Sequence, residues 1–234
     1  MKNAFYAVAF DIDGTLYPNY RFYAQLIPFL LRRWRLLLAF ARARKVLRRL
    51  NKEAQDFYNM QAELMALYLS INAKPGTAGF LKKVEKVQSL TEKEIYTRWE
   101  GLFKKVKLFP DVVETVKAFR NAGLKTAVLS DFPLRGKLKN LGIDGLWDVE
   151  LCSEELGALK PAKVSFMELQ KRLDIPAEHI LFVGNSVRCD IAGAKSYGMK
   201  AALIHGGIFP PPKADPPPDL IFSAYRQLHN FVLQ

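Results

Sequence analysis

Cysteine is almost missing from this chain: Cys152 and Cys189 are the only two in 234 residues. They lack the CxxC spacing of a redox or zinc motif and no histidine cluster accompanies them, which excludes a disulfide scaffold; both thiols are expected to be reduced. The opening MKNAFYAVAF has neither a basic segment leading into a long apolar run nor a small-residue cleavage site. It is not read as a signal peptide, and the expected compartment is the cytoplasm. Long hydrophobic runs are scarce too. The one candidate, Leu26 to Phe40, is interrupted by Arg32, Arg33 and Arg35, and charges near the centre of a spanning helix are costly. No internal repeat is found, and His179, His205 and His229 share no spacing with one another or with the aspartates. Acidic residues are absent from the whole interval between Asp13 and Glu53.

What is present is a globular composition, half hydrophobic and a quarter charged, long enough for one domain with a large insertion or for two small ones. The formal net charge of +12 implies an anionic partner of unspecified kind. That excess is local. Residues 18–105 carry 18 Lys and Arg against 7 Asp and Glu, so nearly all of it belongs to this interval.

Short apolar runs recur along the chain at Tyr6 to Phe10, Lys125 to Leu129, Val149 to Cys152, Ile180 to Val183, Ala201 to Ile204 and Leu220 to Phe222. Helix-like segments lie between them, among them Val112 to Asn121, Lys163 to Leu173 and Asp190 to Tyr197. This alternation predicts an α/β fold, a parallel sheet covered on both faces, with ligands at the carboxyl ends of the strands. From Tyr20 to about Val106 only helical segments are found. One of them is expected to begin at Thr91, from the capping-box pattern Thr91-Glu92-Lys93-Glu94. The proline-rich stretch 209–219 lies between two strands and reads as a stiff surface loop.

The first strand runs straight into Asp11-Ile12-Asp13-Gly14-Thr15. At a strand's carboxyl end two carboxylates can leave the apolar layer, and a spacing of two places them on one side. Adjacent carboxylates repel unless a cation or a shared proton intervenes, and a hard ion such as Mg²⁺ suits them. Gly14 allows a tight turn, and Thr15 adds a hydroxyl and backbone N–H groups where an anion could dock. The competing reading is a plain Asp-Gly surface turn.

Three later segments favour the functional reading: a strand ending in Ser130, Lys160 followed by Pro161 before a helix, and a strand ending in GNSVRCD over residues 184–190. In this order the four segments resemble the signatures of the haloacid dehalogenase superfamily, across residues 4–18 and 107–230. The resemblance implies a doubly wound Rossmann-like parallel-sheet core, residues 1–17 and 106–234, and an inserted all-helical cap, residues 18–105. It also implies a phosphatase-type hydrolase. Asp11 would be the nucleophile that forms an aspartyl-phosphate, and Asp13 the general acid and base. Ser130 and Lys160 would bind the phosphoryl oxygens beside Gly14 and Thr15. Mg²⁺ would be held by Asp11, the main-chain carbonyl of Asp13, Asn185 and Asp190. A phosphomutase would use the same residues, whereas the dehalogenase branch fits less well because Asp13 is present.

Asn185 departs from the resemblance, which puts an Asp after the glycine. An amide oxygen still coordinates Mg²⁺ but carries no charge, so weaker metal binding, or reliance on the substrate phosphate to complete it, is expected; a retired catalyst is the alternative, and the presence of both Asp11 and Asp13 favours activity. The basic run of residues 32–49 places Leu36, Phe40, Ala43, Val46, Leu47 and Leu50 on one side of a helix and Arg35, Arg42, Arg44, Lys45, Arg48 and Arg49 on the other. It reads as a packed helix with arginines in water, as an attractor of a small phosphorylated substrate, or as a peripheral contact with an acidic membrane surface through Trp34, Leu37 and Leu38. Nucleic acid ranks last because no recognition motif accompanies the charge. Oligomeric state stays open at this stage.

Overall fold

A computed structural model describes residues 5–50, 53–69, 74–207, 210–211 and 213–234. Its centre is β1 (Ala7–Phe10), four residues with no exposed surface. β1 pairs with β2 (Lys125–Ser130) on one side and with β4 (Ile180–Gly184) on the other, both parallel. β3 (Val149–Cys152), β5 (Lys200–Ile204) and β6 (Leu220–Phe222) complete a six-stranded parallel sheet in the order β3-β2-β1-β4-β5-β6. The sequence-expected strands are all there, with ends that differ by one residue.

Strand alternation divides the interior into two cores. Val8, Phe10, Leu181 and Val183 face one way and pack under α5 (Val112–Asn121) and α9 (Tyr225–Leu233). Ala7, Ala9, Ile180 and Phe182 face the other, under α7 (Lys163–Leu173) and α8 (Ala192–Ser196). Helices on both faces explain why the central strands β1 and β4 are apolar throughout rather than alternating.

Between residues 19 and 105 no described residue is in a strand. α1 (Asn19–Leu50) contains Pro28 and breaks at Arg33, whose φ of −131° and ψ of 24° are not helical. Its first part sends Phe22 and Leu26 into the core under β1, and its second part sends Leu36, Phe40 and Ala43 into a separate apolar cluster. α2 (Phe57–Leu69) and α3 (Ala78–Thr91) close that cluster with Met65, Phe80 and Val84. No helix among the described residues is long and apolar enough to cross a membrane.

Several sequence expectations are corrected. Thr91 starts no helix: α3 runs on through a π turn over Glu92–Thr97 into α4 (Arg98–Leu102), and the Thr91 hydroxyl donates to the Val87 carbonyl at 2.8 Å. The residues after Thr91 keep their backbone bonds without a cap, so its side chain turns back along its own helix. Asp190 does not open its helix either, since Ser186 accepts from the Cys189 N–H at 3.1 Å and the chain turns helical at Val187. Pro161 lies in a turn, and α7 begins two residues later. Leu50, assigned to the apolar stripe, is 48% exposed. Of the proline-rich stretch, Phe209 and Pro212 lie outside the described residues.

Candidate active site

The crossovers from β1 and β4 depart to opposite sides of the sheet, which opens a crevice at the carboxyl ends of these two strands. Asp11 stands at its base, its backbone N–H still donating to the Val183 carbonyl at 2.9 Å. The chain then turns, with the Thr15 and Leu16 N–H groups both donating to the Ile12 carbonyl. Gly14 sits in this turn at φ +86°, and a Cβ built there would lie 2.0 Å from Asn185 Nδ2 and 2.5 Å from Asn19 Nδ2. Gly14→Ala is therefore expected to cost about 1–3 kcal/mol in a denaturant titration and to push Asn185 away from the turn.

Asp11 is buried. Its Oδ1 accepts from Lys160 Nζ at 2.7 Å and its Oδ2 from the Thr15 hydroxyl at 2.7 Å. Thr15 is fully buried, so its hydroxyl serves Asp11 rather than an incoming anion. Lys160 Nζ also donates to Asp190 Oδ1 at 2.7 Å and to the Leu129 carbonyl at 3.2 Å, which places one ammonium between two buried carboxylates. Asp190 is fixed by the N–H groups of Asn185 and Ser186. Gly184 makes room for it, since a Cβ there would lie 2.3 Å from that of Asp190.

Burial dominates the electrostatics. It pushes the Asp11 carboxyl up to about 7 against the pull of Lys160, and the Asp190 and Asp13 charges add to the rise. Burial works against the Lys160 ammonium, but Asp11, Asp190 and Asp131 outweigh it and hold the ammonium firmly protonated.

Asp13 collects a different set of donors. Its Oδ2 accepts from Lys137 Nζ at 2.6 Å and lies 3.4 Å from the Ser130 hydroxyl, and Tyr17 donates to Oδ1. Burial, then the Asp13 carboxylate, raises the Tyr17 phenol well above its ordinary range, which keeps it a donor.

All the sequence-predicted residues, Asp11, Asp13, Gly14, Thr15, Ser130, Lys160, Asn185 and Asp190, thus meet at one end of the sheet. Sequence reasoning missed Lys137, and its reading of the arginines as lying in water fails for two of them. Lys137, at the start of α6 (Lys137–Leu141), is 1% exposed and lies over the Phe103 ring. Arg44 is not in water: it is buried against Glu154, donates to the Asp131 carbonyl at 3.0 Å and stacks 4.1 Å from the Phe132 ring centre. Arg48 reaches Asp131 Oδ2 at 2.6 Å and also donates to the Lys160 carbonyl. Burial alone would raise the Asp131 carboxyl, but Lys160, Arg48 and Arg44 hold it below its ordinary value. Asp131 in turn accepts from the Lys160 N–H at 2.9 Å. The i, i+4 spacing of Arg44 and Arg48 was the available signal, since it puts both on one helix face.

Among the described residues no three acidic, histidine or cysteine side chains converge on one point. A Mg²⁺ ion needs less, since it is usually held by one or two carboxylates with a substrate phosphate. Asp11, Asn185 and the Asp13 carbonyl all offer hard oxygen donors of the kind Mg²⁺ takes.

The family model described as haloacid dehalogenase-like hydrolase matches residues 6–198. Glyceraldehyde 3-phosphate phosphatase of Methanopyrus kandleri is 27% identical over 241 residues, covering 97% of this chain and 96% of the relative. Ribulose-1,5-bisphosphate 5-phosphatase of Halopiger xanaduensis is 33% identical over 108 residues, and the match spans 45% of either chain. The crystal structure of a phosphatase from Thermococcus onnurineus superposes with a TM-score of 0.62 at 22% identity, over all of this chain and 98% of its own, a likeness of fold. Matched by the family model over residues 6–198, most of its length, the chain belongs to the haloacid dehalogenase-like hydrolases.

Proposed function

We propose that the protein hydrolyses a phosphomonoester through an aspartyl-phosphate on Asp11. The observation that carries this reading is Asp11 itself: a buried strand-end carboxylate with Lys160 at 2.7 Å and a second carboxylate two residues on. In the first step an Asp11 oxygen forms a bond to phosphorus as the ester P–O bond breaks, and Asp13 gives its proton to the leaving alkoxide. In the second step water attacks phosphorus, its proton passes to Asp13, and the bond to Asp11 breaks to release phosphate. Lys160 and Ser130 hold the phosphoryl oxygens as charge-assisted and neutral donors. Lys137 positions Asp13. Asp11, Asn185, Asp190 and the Asp13 carbonyl are the groups that would hold Mg²⁺, which when bound supplies positive charge against the phosphoryl oxygens.

Hydrolysis of an aryl phosphate with and without Mg²⁺ tests this reading. Turnover that needs Mg²⁺ is expected; an inactive wild type beside an active Asn185→Asp variant would instead identify a retired site. If the wild type is active, Asn185→Asp is expected to lower the half-activating Mg²⁺ concentration about tenfold, because a carboxylate adds formal charge to the donor set. Phosphoryl transfer to an added alcohol in place of water would identify a mutase. The two free thiols, Cys152 and Cys189, agree with the cytoplasm as its compartment.

A second reading concerns the surface. Tyr20, Tyr23, Ile27 and Leu31 recur at steps of three and four along α1 before its break at Arg33, Trp34 and Leu38 follow the break, and all six are 41–80% exposed, beside Arg32 and Arg35. Such a row suits an anionic bilayer surface. Sedimentation with phosphatidylglycerol vesicles is expected to bring the protein down at low salt and release it at high salt, whereas neutral vesicles leave it in solution.

A further inference from the structure

Resting on that reading of Asp11, we infer that the alcohol half of the substrate is an extended hydrocarbon, so that the natural substrate is an amphiphilic phosphomonoester.

The inference comes from the space above Asp13. A cavity of about 490 Å³ opens there, within the ~300–1,000 Å³ range of small-molecule sites. Its walls are Tyr23, Leu26, Leu30, Leu37, Trp99 and Phe132. Of the cations in the lining, Arg44 and Arg48 are held by Glu154 and Asp131, and Lys45 and Arg188 are the ones that match a phosphate. Four lining side chains can hydrogen-bond without charge: Tyr17, whose hydroxyl is already given to Asp13, Asn19, which packs beside Gly14, and Tyr23 and Trp99 in the walls. A polyhydroxylated or carbonyl-bearing alcohol would leave its polar groups without partners along Leu26, Leu30 and Leu37, and each buried polar group left so lowers affinity. A hydrocarbon loses nothing there and gains with every methylene.

The cavity mouth points the same way. Tyr23 and Leu30 belong to the lining and are also 58% and 43% exposed. Ile27, Leu31 and Trp34 continue from them over the surface of α1, so a chain longer than the cavity still finds apolar cover. Small polar phosphates, such as the one in the name of the Methanopyrus kandleri relative, would use none of this surface.

The test uses methyl-, butyl-, octyl- and dodecylphosphonate, which cannot be hydrolysed, with binding read by calorimetry below the micelle concentration. The dissociation constant is expected to fall about threefold to fourfold per methylene from butyl to octyl. The kcat/KM of the matching alkyl phosphates should rise in parallel and exceed that of glyceraldehyde 3-phosphate. Leu30→Asn, at a half-exposed position that spares the core, is expected to reduce the preference for octyl over methyl about tenfold. Affinity that does not change with chain length, or phenylphosphonate binding as tightly as octylphosphonate, would overturn the inference. The two claims fail separately: flat binding with active turnover of small phosphates removes only the hydrocarbon, and chain-length-dependent binding with no turnover of any ester removes only the hydrolysis.

Discussion

Asp11→Asn is expected to lower turnover by about 10⁴-fold or more while making the metal-free protein more stable than the wild type. The first effect follows from the loss of the nucleophile, since an amide oxygen cannot form and release the phosphoryl bond. The second follows from burial. A carboxyl whose ordinary value is 3.8 and which the fold pushes up to about 7 binds its proton more tightly folded than unfolded. Its contribution to stability is therefore full below about pH 3.8, declines as pH rises towards 7, and is level above that. The shift corresponds to as much as about 4 kcal/mol at pH 8. An asparagine escapes this penalty and still accepts from Lys160. Urea titrations of the two proteins in chelator should coincide near pH 4 and separate towards pH 8 in favour of the variant. A variant less stable at pH 8 would contradict the electrostatics, and one that retains turnover would contradict the assignment of the nucleophile.

Lys160→Met is expected to be the most destabilising single change at the site. The side chain is 2% exposed and its ammonium holds Asp11 and Asp190, each at 2.7 Å. Methionine fills similar space but leaves two buried carboxylates facing each other, and removing one partner of a buried ion pair costs about 3–5 kcal/mol. The loss should shrink on acidification, because Asp11 then takes up a proton and the repulsion disappears. Adding Asp190→Asn to Lys160→Met should recover part of the stability at neutral pH and none of the activity. Equal destabilisation at pH 5 and pH 8 would show that packing rather than charge sets the cost.

Local geometry decided what could be read from the sequence. Asp11, Asp13, Ser130 and the 184–190 segment each follow an apolar run, and a parallel sheet brings the ends of such runs together whatever lies between them. Lys160 needed only its place in that order. Lys137 had no such marker: its partner Asp13 is 124 residues away, and only the fold of the turn after β2 aims it inward. The basic run left Arg44 and Arg48 open between water, substrate and membrane, because a helical wheel gives the angle between residues but not which neighbour covers each face. Here the loop after β2 brings Asp131 and Phe132 against the charged side of α1. The Arg33 break had no signal in the charge pattern, and it lets one helix serve two apolar clusters.

The most direct test of the central claim is chemical trapping of the phosphoryl group. The enzyme is mixed with substrate and Mg²⁺, quenched in acid, reduced with borohydride and mapped by peptide mass spectrometry. An acyl phosphate is reduced to an alcohol, so homoserine is expected at position 11, only in samples that received substrate. Rapid turnover with aspartate unchanged at position 11, or reduction at Asp13 or Asp190 instead, would contradict the account.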